Sequence, residues 1–382
     1  MPEKQKKNYL NTPRVYIRTF GCQMNKNDSE RIMAITESLG YQETTNYQQA
    51  NIIILNTCSV REKAENRVYG WLGLLKKLKE NNNSLKIGVC GCMPQHAKET
   101  IFKKAPHVDF IFGTNNIGNL PQILSKVESG KEKHTMEILD KHLEGPAIIP
   151  KRNSNYQAWV TIMHGCNNFC TYCVVPYTRG RETSRTKEDI FEEIKKIDND
   201  FYKEIVLLGQ NVNSYGKDRY PQYDFSDLLI GIIKLGHVEK ISFLTSHPKD
   251  FSDKLIKTIA EHPQISRSIH LPIQAGSDHI LKEMNRKYNV ADYILLVEKI
   301  RKAIPDVSLS TDIIVGFPGE QESHFKETLE LVQKINFSQA NTAMYSPRPF
   351  TAAAKMPHQV PQKIKEERLQ NLMSVLNQKG LN

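Results

Sequence analysis

The chain has 382 residues, 25% of them charged and 39% apolar, which is long enough for two domains with substantial cores and too polar for a membrane-embedded fold. No apolar run approaches the ~20 residues that span a bilayer, and the start, MPEKQKKNYL, lacks the apolar stretch of a secretory signal, so a cytoplasmic protein is expected. A net charge of +10 favours a polyanionic partner such as RNA, with a merely lysine-rich surface as the alternative. Seven cysteines in a reducing compartment point to metal ligation rather than a disulfide scaffold.

The N-terminal third alternates strand and helix patterns. Val15–Thr19 is a β-branched run ending at Gly21-Cys22. Asp28–Leu39 has helical spacing, with Asp28 or Ser29 as its cap and Gly40 as its stop. Ala50–Leu55 contains the continuous apolar run Ile52-Ile53-Ile54-Leu55 of a parallel strand buried on both faces, and it ends at Asn56-Thr57-Cys58. Glu62–Glu80 reads as a long amphipathic helix carrying Trp71, Leu74, Leu75 and Leu78. Leu85–Val89 is a third strand ending at Cys90-Gly91-Cys92, and Val108–Phe112 a fourth. This rhythm predicts an α/β fold with a doubly wound parallel sheet over residues 1–125. Cys22, Cys58 and Cys92 each follow the carboxyl end of a strand, the edge where open α/β sheets place their sites. Three cysteines far apart in sequence are therefore candidates to converge, although each alone is equally readable as a buried structural thiol.

Residues 126–155, charged and poor in large apolar groups, read as a linker. From Tyr156 the strand–helix alternation resumes, with candidate strands at Ala158–Met163, Glu204–Leu208, Lys240–Phe243, Ser268–Leu271, Ser308–Val315 and Ala340–Met344. Six parallel strands predict a partial (βα)6 barrel over 156–360 with its site at the strand C-termini. Pro361–Gln378 is a charged amphipathic helix within a C-terminal segment 361–382.

Just after the first barrel strand comes His164-Gly-Cys166-Asn-Asn-Phe-Cys170-Thr-Tyr-Cys173. Three thiolates in a C-x3-C-x2-C loop can hold three irons of a [4Fe–4S] cube and leave the fourth open to a substrate or cofactor. The alternative is a Cys3His zinc site using His164 or a distant histidine, against which structural zinc usually shows two ligand pairs. The spacing resembles the signature of the radical S-adenosylmethionine (SAM) enzymes, and Tyr172 before the last cysteine fits it. In that superfamily SAM fills the open iron position and is cleaved to a 5′-deoxyadenosyl radical.

The resemblance extends along the chain from about Arg14 to the last helix. Asn56-Thr-Cys-Ser-Val-Arg-Glu-Lys-Ala64, Cys173-Val-Val-Pro-Tyr-Thr-Arg-Gly180, Leu207-Leu-Gly-Gln-Asn-Val-Asn213, His270-Leu-Pro-Ile-Gln-Ala-Gly-Ser277 and Asp312-Ile-Ile-Val-Gly-Phe-Pro-Gly-Glu320 resemble the methylthiotransferases, and in particular their bacterial tRNA-modifying branch. The resemblance implies an auxiliary [4Fe–4S] cluster on Cys22, Cys58 and Cys92 and the radical SAM cluster on Cys166, Cys170 and Cys173, with Cys90 left as a packing residue. It implies transfer of a methylthio group to C2 of N6-isopentenyladenosine beside the anticodon of tRNA. Two SAM molecules would serve one modification, as methyl donor and as radical source, with an electron donor such as flavodoxin or ferredoxin and a monomeric enzyme. Within the family, an aspartate of a small-subunit ribosomal protein or threonylcarbamoyladenosine in tRNA are the competing substrates. A non-catalytic iron–sulfur RNA-binding protein is the reading from a different class.

SAM contacts are implied at Gly209, Gln210 and Asn211 after the second barrel strand, at Gln274 and Ser277 after the fourth, and at Asp312 on the fifth; each is also readable as a cap or turn residue. Arg179, Arg181 and Arg185 are candidates for phosphate contacts or for a solvated basic face. Phe350, in Tyr345-Ser-Pro-Arg-Pro-Phe-Thr351, stands where a glycine is expected, so a remodelled loop is expected there. His164 occupies a position often acidic in relatives. The family's C-terminal TRAM domain, a small RNA-binding β-barrel, has no counterpart after Asn382, so the expectation is either a truncated chain or tRNA affinity from the remaining surface.

Overall fold

The computed structural model describes residues 12–59, 62–139, 148–152 and 156–378, which form two compact units. One holds the described residues up to 152 together with Tyr177–Arg179; the other holds 156–176 and 180–378.

The first unit runs β1 (Arg14–Phe20), α1 (Gln23–Ser38), β2 (Gln42–Glu43), β3 (Ile52–Thr57), α2 (Glu62–Asn81), β4 (Lys86–Gly91), α3 (Cys92–Ala97), α4 (Thr100–Lys104), β5 (Phe110–Gly113), α5 (Leu120–Ser129) and β6 (Thr135–Glu137). Its six strands are all parallel in the order β2-β1-β3-β4-β5-β6. Strand order reverses between β1 and β3, and such a switch point opens a crevice at the carboxyl ends of the strands. Every residue of β3 is buried. On one face Ile53 and Leu55 pack with Val68, Leu72 and Leu75 of α2; on the other Ile52 and Ile54 pack with Ile32 of α1 and Ile123 of α5. Each such side chain contributes about 1.5–3 kcal/mol on burial, so the helices are clamped to both faces and the strand ends are held in register.

Three departures from the sequence reading have local causes. Helix α1 begins at Gln23, not Asp28, because extended Cys22 takes the cap position and accepts the Lys26 N–H at 3.2 Å. Its first turns bury Asn25, Asn27, Asp28 and Glu30, polar residues that hide the helical apolar period. The stretch read as a linker supplies the end of α5 and the edge strand β6, which is too short and polar to show an alternation; its residues 140–147 and 153–155 lie outside the described ones. The same shortness concealed β2.

The second unit runs β7 (Gln157–Thr161), β8 (Met163–His164), α6 (Val175–Thr178, whose end belongs to the first unit), β9 (Thr183–Ser184), α7 (Lys187–Lys195), β10 (Glu204–Leu208), α8 (Phe225–Lys234), β11 (Lys240–Phe243), α9 (Asp253–Glu261), β12 (Ser268–His270), α10 (Asp278–Glu283), α11 (Val290–Ala303), β13 (Ser308–Val315), α12 (Glu322–Lys334), β14 (Gln339–Met344) and α13 (Gln362–Gln378). Strands β7, β10 and β11 form one parallel sheet and β12, β13 and β14 another, each in chain order, with Ile265 bridging to Ile241 of β11 between them. This is the expected partial (βα)6 barrel. Along β13, buried Leu309, Thr311, Ile313 and Val315 alternate with partly exposed Ser310, Asp312 and Ile314, the period-two signature of a strand with one packed and one open face. Helix α13 is fixed by the buried Arg368–Glu320 ion pair (2.7 Å) and by Leu372 and Leu376. No described helix is long and apolar enough to cross a membrane.

Phe350 adopts φ +67° with 58% of its surface exposed, so the chain accepts the left-handed conformation there rather than avoiding it. Such a conformation costs a non-glycine residue about 1–2 kcal/mol. Phe350→Gly is expected to raise the unfolding free energy by about 1 kcal/mol in urea, whereas Phe350→Ala should give no gain. Equal stability of the glycine variant and wild type would show that contacts of the ring offset the strain.

Candidate cluster and cofactor sites

Strands β1, β3 and β4 deliver Cys22, Cys58 and Cys92 to one sheet edge. Cys22 caps α1, the Cys58 N–H donates to the Phe20 carbonyl at 2.8 Å, and Cys92 opens α3. Two glycines permit the approach. A Cβ on Gly21 would lie 2.8 Å from the Cys58 Cβ; Gly91 has φ +95°, and its Cβ would meet the Thr57 carbonyl at 2.4 Å. A buried amide clasp fastens α1 to β3: Asn25 Nδ2 donates to Asn56 Oδ1 (3.1 Å) and the Thr57 carbonyl (3.2 Å), and Asn56 Nδ2 donates to the Asn25 carbonyl (2.7 Å).

Arg179 lies in this unit, not on a phosphate-facing surface. It is 5% exposed and its Nη2 pairs with Asp28 Oδ2 at 2.7 Å. The Cys22 thiol is drawn down to about 5, first by its hydrogen bond with Cys58 and further by the Arg179 charge, against the opposing effect of burial. Burial pushes the Cys92 thiol up, and Arg179 counters part of that. Cys90 is packed in the core on the other side of its strand, its thiol raised well above the ordinary value by burial and by Asp28.

The second set sits in a loop held at many points. Gly165 has φ +71°, and a Cβ there would meet the Arg181 carbonyl at 2.1 Å; the Cys166 N–H donates to the Gly180 carbonyl at 3.2 Å. Phe169 takes φ +49° and carries the Arg181 guanidinium 4.3 Å from its ring centre. Asn285, itself at φ +58°, donates to the Phe169 carbonyl at 2.9 Å, and Thr171 Oγ1 donates to the Glu283 carbonyl at 2.8 Å. Buried Arg286 donates from Nη1 to Cys170 Sγ at 3.4 Å and from Nη2 to the Pro272 carbonyl at 3.0 Å. Burial pushes the Cys166 and Cys173 thiols up to about 11 and 12, so in the metal-free chain they are neutral and metal binding must release their protons.

Among the described residues no three His, Cys, Asp or Glu side chains stand ready-made around a single metal position. An iron–sulfur cube makes a different demand, since each thiolate takes its own iron. The donor chemistry fits that demand: two all-thiol sets, each with a buried arginine beside a sulfur.

The SAM candidates scatter along the strand ends. Gly209 leaves no room for a side chain against Met163, where a Cβ would lie 2.6 Å from Cγ. Asn211 Nδ2 donates to Asp250 Oδ2 at 2.7 Å, while Gln210 Oε1, Asn211 Oδ1, both amide atoms of Asn213 and Ser246 Oγ are buried with no partner among the described residues. A cluster of orphaned polar atoms after β10 and β11 fits a polar ligand. Gln274 has φ +74° and bridges to Ile313 through its backbone. Ser277 caps α10 without a side-chain bond, and Asp312 accepts from His270 Nε2 (3.1 Å) and Asn341 Nδ2 (3.0 Å). Buried His247 is held neutral, its pKa pushed down to about 2 by burial and then by the charge of Arg286. Arg185 is committed within the unit to Glu193 (2.7 Å) and the Thr161 carbonyl (2.6 Å). The sequence carries no signal for Arg286, Asn285 or the Arg179–Asp28 pair, because a single arginine in a charged stretch is indistinguishable from a solvated one.

Residues 14–113 match the uncharacterized protein family UPF0004, and residues 160–332 match the radical SAM superfamily, which defines the chain as a radical SAM protein. It is 50% identical over 365 residues to the tRNA-2-methylthio-N(6)-dimethylallyladenosine synthase of Clostridium beijerinckii, covering 95% of this chain and 80% of that one. The Bacillus subtilis protein of the same name is 50% identical over 369 residues (95% and 72% covered), and that of Dictyoglomus thermophilum 47% over 373 (97% and 84%). The chain therefore belongs to the tRNA-2-methylthio-N(6)-dimethylallyladenosine synthase family, sulfur-transferring radical SAM enzymes that act on tRNA. Among solved structures it resembles the radical SAM methyltransferase TsrM from Kitasatospora setae (TM-score 0.67, 11% identity, 89% of this chain and 75% of that one). It also resembles the cobalamin-dependent radical enzyme OxsB (TM-score 0.61, 14% identity, 96% and 56%). Identities this low make these likenesses of fold alone.

The buried Arg179–Asp28 pair yields a stability prediction. Asp28→Ala leaves a buried guanidinium unpaired and is expected to destabilise the metal-free protein by about 3–5 kcal/mol in urea, with much of the loss recovered in Asp28→Leu/Arg179→Met. A loss below about 1 kcal/mol would show that Arg179 finds other compensation or reaches water.

Proposed function

We propose that Cys166, Cys170 and Cys173 hold the [4Fe–4S] cluster whose open iron receives SAM, and that Cys22, Cys58 and Cys92 hold a second [4Fe–4S] cluster that carries the sulfur to be transferred. The product is the 2-methylthio derivative of N6-isopentenyladenosine beside the anticodon. When bound, the clusters and SAM supply the one-electron and methyl-transfer chemistry that an unactivated ring C–H requires and that side-chain acids and bases do not provide.

The observation that carries this assignment is what the two sets share, three thiols with one buried arginine beside a sulfur: Arg179 by Cys92 and Arg286 by Cys170. Arg286 donates to the Cys170 sulfur and so fixes its position, while its other amino group ties it to the Pro272 carbonyl. The Arg179 charge favours the thiolate forms of Cys22 and Cys92. Asn285, Thr171 and the strained Phe169 backbone hold the loop rigid, so the ligands need little rearrangement on metal binding. The orphaned atoms of Gln210, Asn211, Asn213 and Ser246 are the groups offered to the amino, carboxylate and hydroxyl groups of SAM. A flavodoxin- or ferredoxin-type donor, a monomeric state, a cytoplasmic setting and the anticodon stem-loop as the bound element complete the proposal.

The test is anaerobic reconstitution followed by iron and acid-labile sulfide counts. About eight irons per chain are expected, falling to about four in Cys22/Cys58/Cys92→Ala, together with 2-methylthio product in tRNA from a strain lacking the modification. About four irons in both proteins would overturn the second cluster.

A further inference from the structure

Beside the auxiliary cysteines the first unit carries a cleft of about 650 Å³ between the end of β1 and the outer side of α2, lined by Arg18, Gly21, Arg67, Gly70, Trp71 and Leu74 among others. Its size lies within the range of ligand-binding clefts. One end reaches Gly21, the residue before Cys22.

Trp71 is a fixed platform. Tyr16 stacks against it (centroids 6.2 Å apart, planes 18° apart), Tyr47 meets it edge-on at 5.4 Å, and the Arg18 guanidinium lies 4.2 Å from its ring centre. Arg18 and Arg67 are both exposed, and Lys76 and Lys77 continue the positive charge along α2. Glu65 of the same helix is taken up by His96 at 2.9 Å.

A second feature of α2 is independent of these side chains. Gly70 and Gly73 sit exposed in the middle of a 20-residue helix, and a Cβ on either would touch nothing within 4 Å. Each costs the helix about 1 kcal/mol relative to alanine, and among the described residues none packs against it so as to require it. A low wall of this kind suits a ligand that lies against the helix.

An aromatic platform topped by a guanidinium plane, with a second arginine on the wall, is the chemistry that receives an unpaired nucleotide: the base stacks and the phosphate pairs with arginine. We propose that this cleft binds one single-stranded nucleotide of the tRNA anticodon loop near the modified adenosine, its base stacked on Arg18 and Trp71 and its phosphate paired with Arg67. The inference rests on the tRNA reading above and adds a specific place on the first unit where the RNA is gripped.

The experiment uses reconstituted protein and an anticodon stem-loop RNA containing N6-isopentenyladenosine, with binding read by fluorescence anisotropy over a salt series. Arg67→Glu is expected to weaken binding about tenfold and to lower the salt slope by about one. Gly70→Gln, which fills the cleft, should weaken binding similarly while the protein melts at the same or a higher temperature. Lys257→Glu, an equal change of charge on the exposed face of α9, should bind within about twofold of wild type. In a Trp159→Phe background, which leaves Trp71 as the sole tryptophan, the RNA should quench the emission. Wild-type affinity in both cleft variants and unquenched Trp71 would overturn the cleft assignment while leaving the tRNA reading intact. A wild-type protein with its full iron content that neither binds nor modifies this RNA would overturn both.

Discussion

The feature on which the first unit's site depends is the buried ion pair between Arg179 and Asp28. Arg179 follows Cys173 by six positions in sequence and nevertheless packs within the first unit, where its charge acts on Cys22 and Cys92. A buried ion pair gives little stability over well-packed apolar side chains and is often inferior to them. Its consequence here is electrostatic: a fixed positive charge stands beside the Cys22 and Cys92 thiols. Asp28 occupies the second turn of α1, and burying it accounts for the polar inner face of that helix and for the difficulty of locating the helix start from apolar spacing.

Topology supplies the rest of the geometry. In a parallel sheet every strand ends at the same edge, so residues at positions 22, 58 and 92 become neighbours without any local sequence relation. Gly21 and Gly91 then matter for what they lack, since side chains there would force the strand ends apart. The barrel solves a similar problem by different means. Its three cysteines lie within eight residues, and the loop is shaped by left-handed backbone at Gly165 and Phe169 and by tethers to Glu283 at the end of α10 and to Asn285 and Arg286 just beyond it.

Much of this was legible in the sequence. The continuous apolar run at Ile52–Leu55 is typical of a strand buried on both faces, which β3 is, and the spacing of Cys166, Cys170 and Cys173 makes them a candidate cluster loop without any tertiary information. The barrel strands are legible chiefly from their alternation with longer helical patterns: Glu204–Leu208 and Ser308–Val315 are rich in apolar and β-branched residues, whereas Ala340–Met344 has only Thr342 of the β-branched type. What escaped were features set by tertiary pairing. Arg179, Arg181 and Arg185 form one basic stretch in sequence, yet the first is buried against Asp28, the second lies over Phe169 and the third is tied to Glu193. Strands β2 and β6 are too short to show a period, and the start of α1 was masked by polar residues that are buried only because they find partners. At Phe350 the bulky side chain suggested a remodelled loop, yet the backbone keeps the left-handed conformation that glycine favours.

The division of labour between the two cysteine sets is the central claim, and it is tested most directly by electron paramagnetic resonance on the reduced Cys22/Cys58/Cys92→Ala protein with and without SAM. With only the Cys166, Cys170 and Cys173 set left to hold a cluster, SAM should shift the signal, because the open iron belongs to that cluster. A signal unchanged by SAM in this variant, with a shift in the complementary Cys166/Cys170/Cys173→Ala protein, would contradict the assignment.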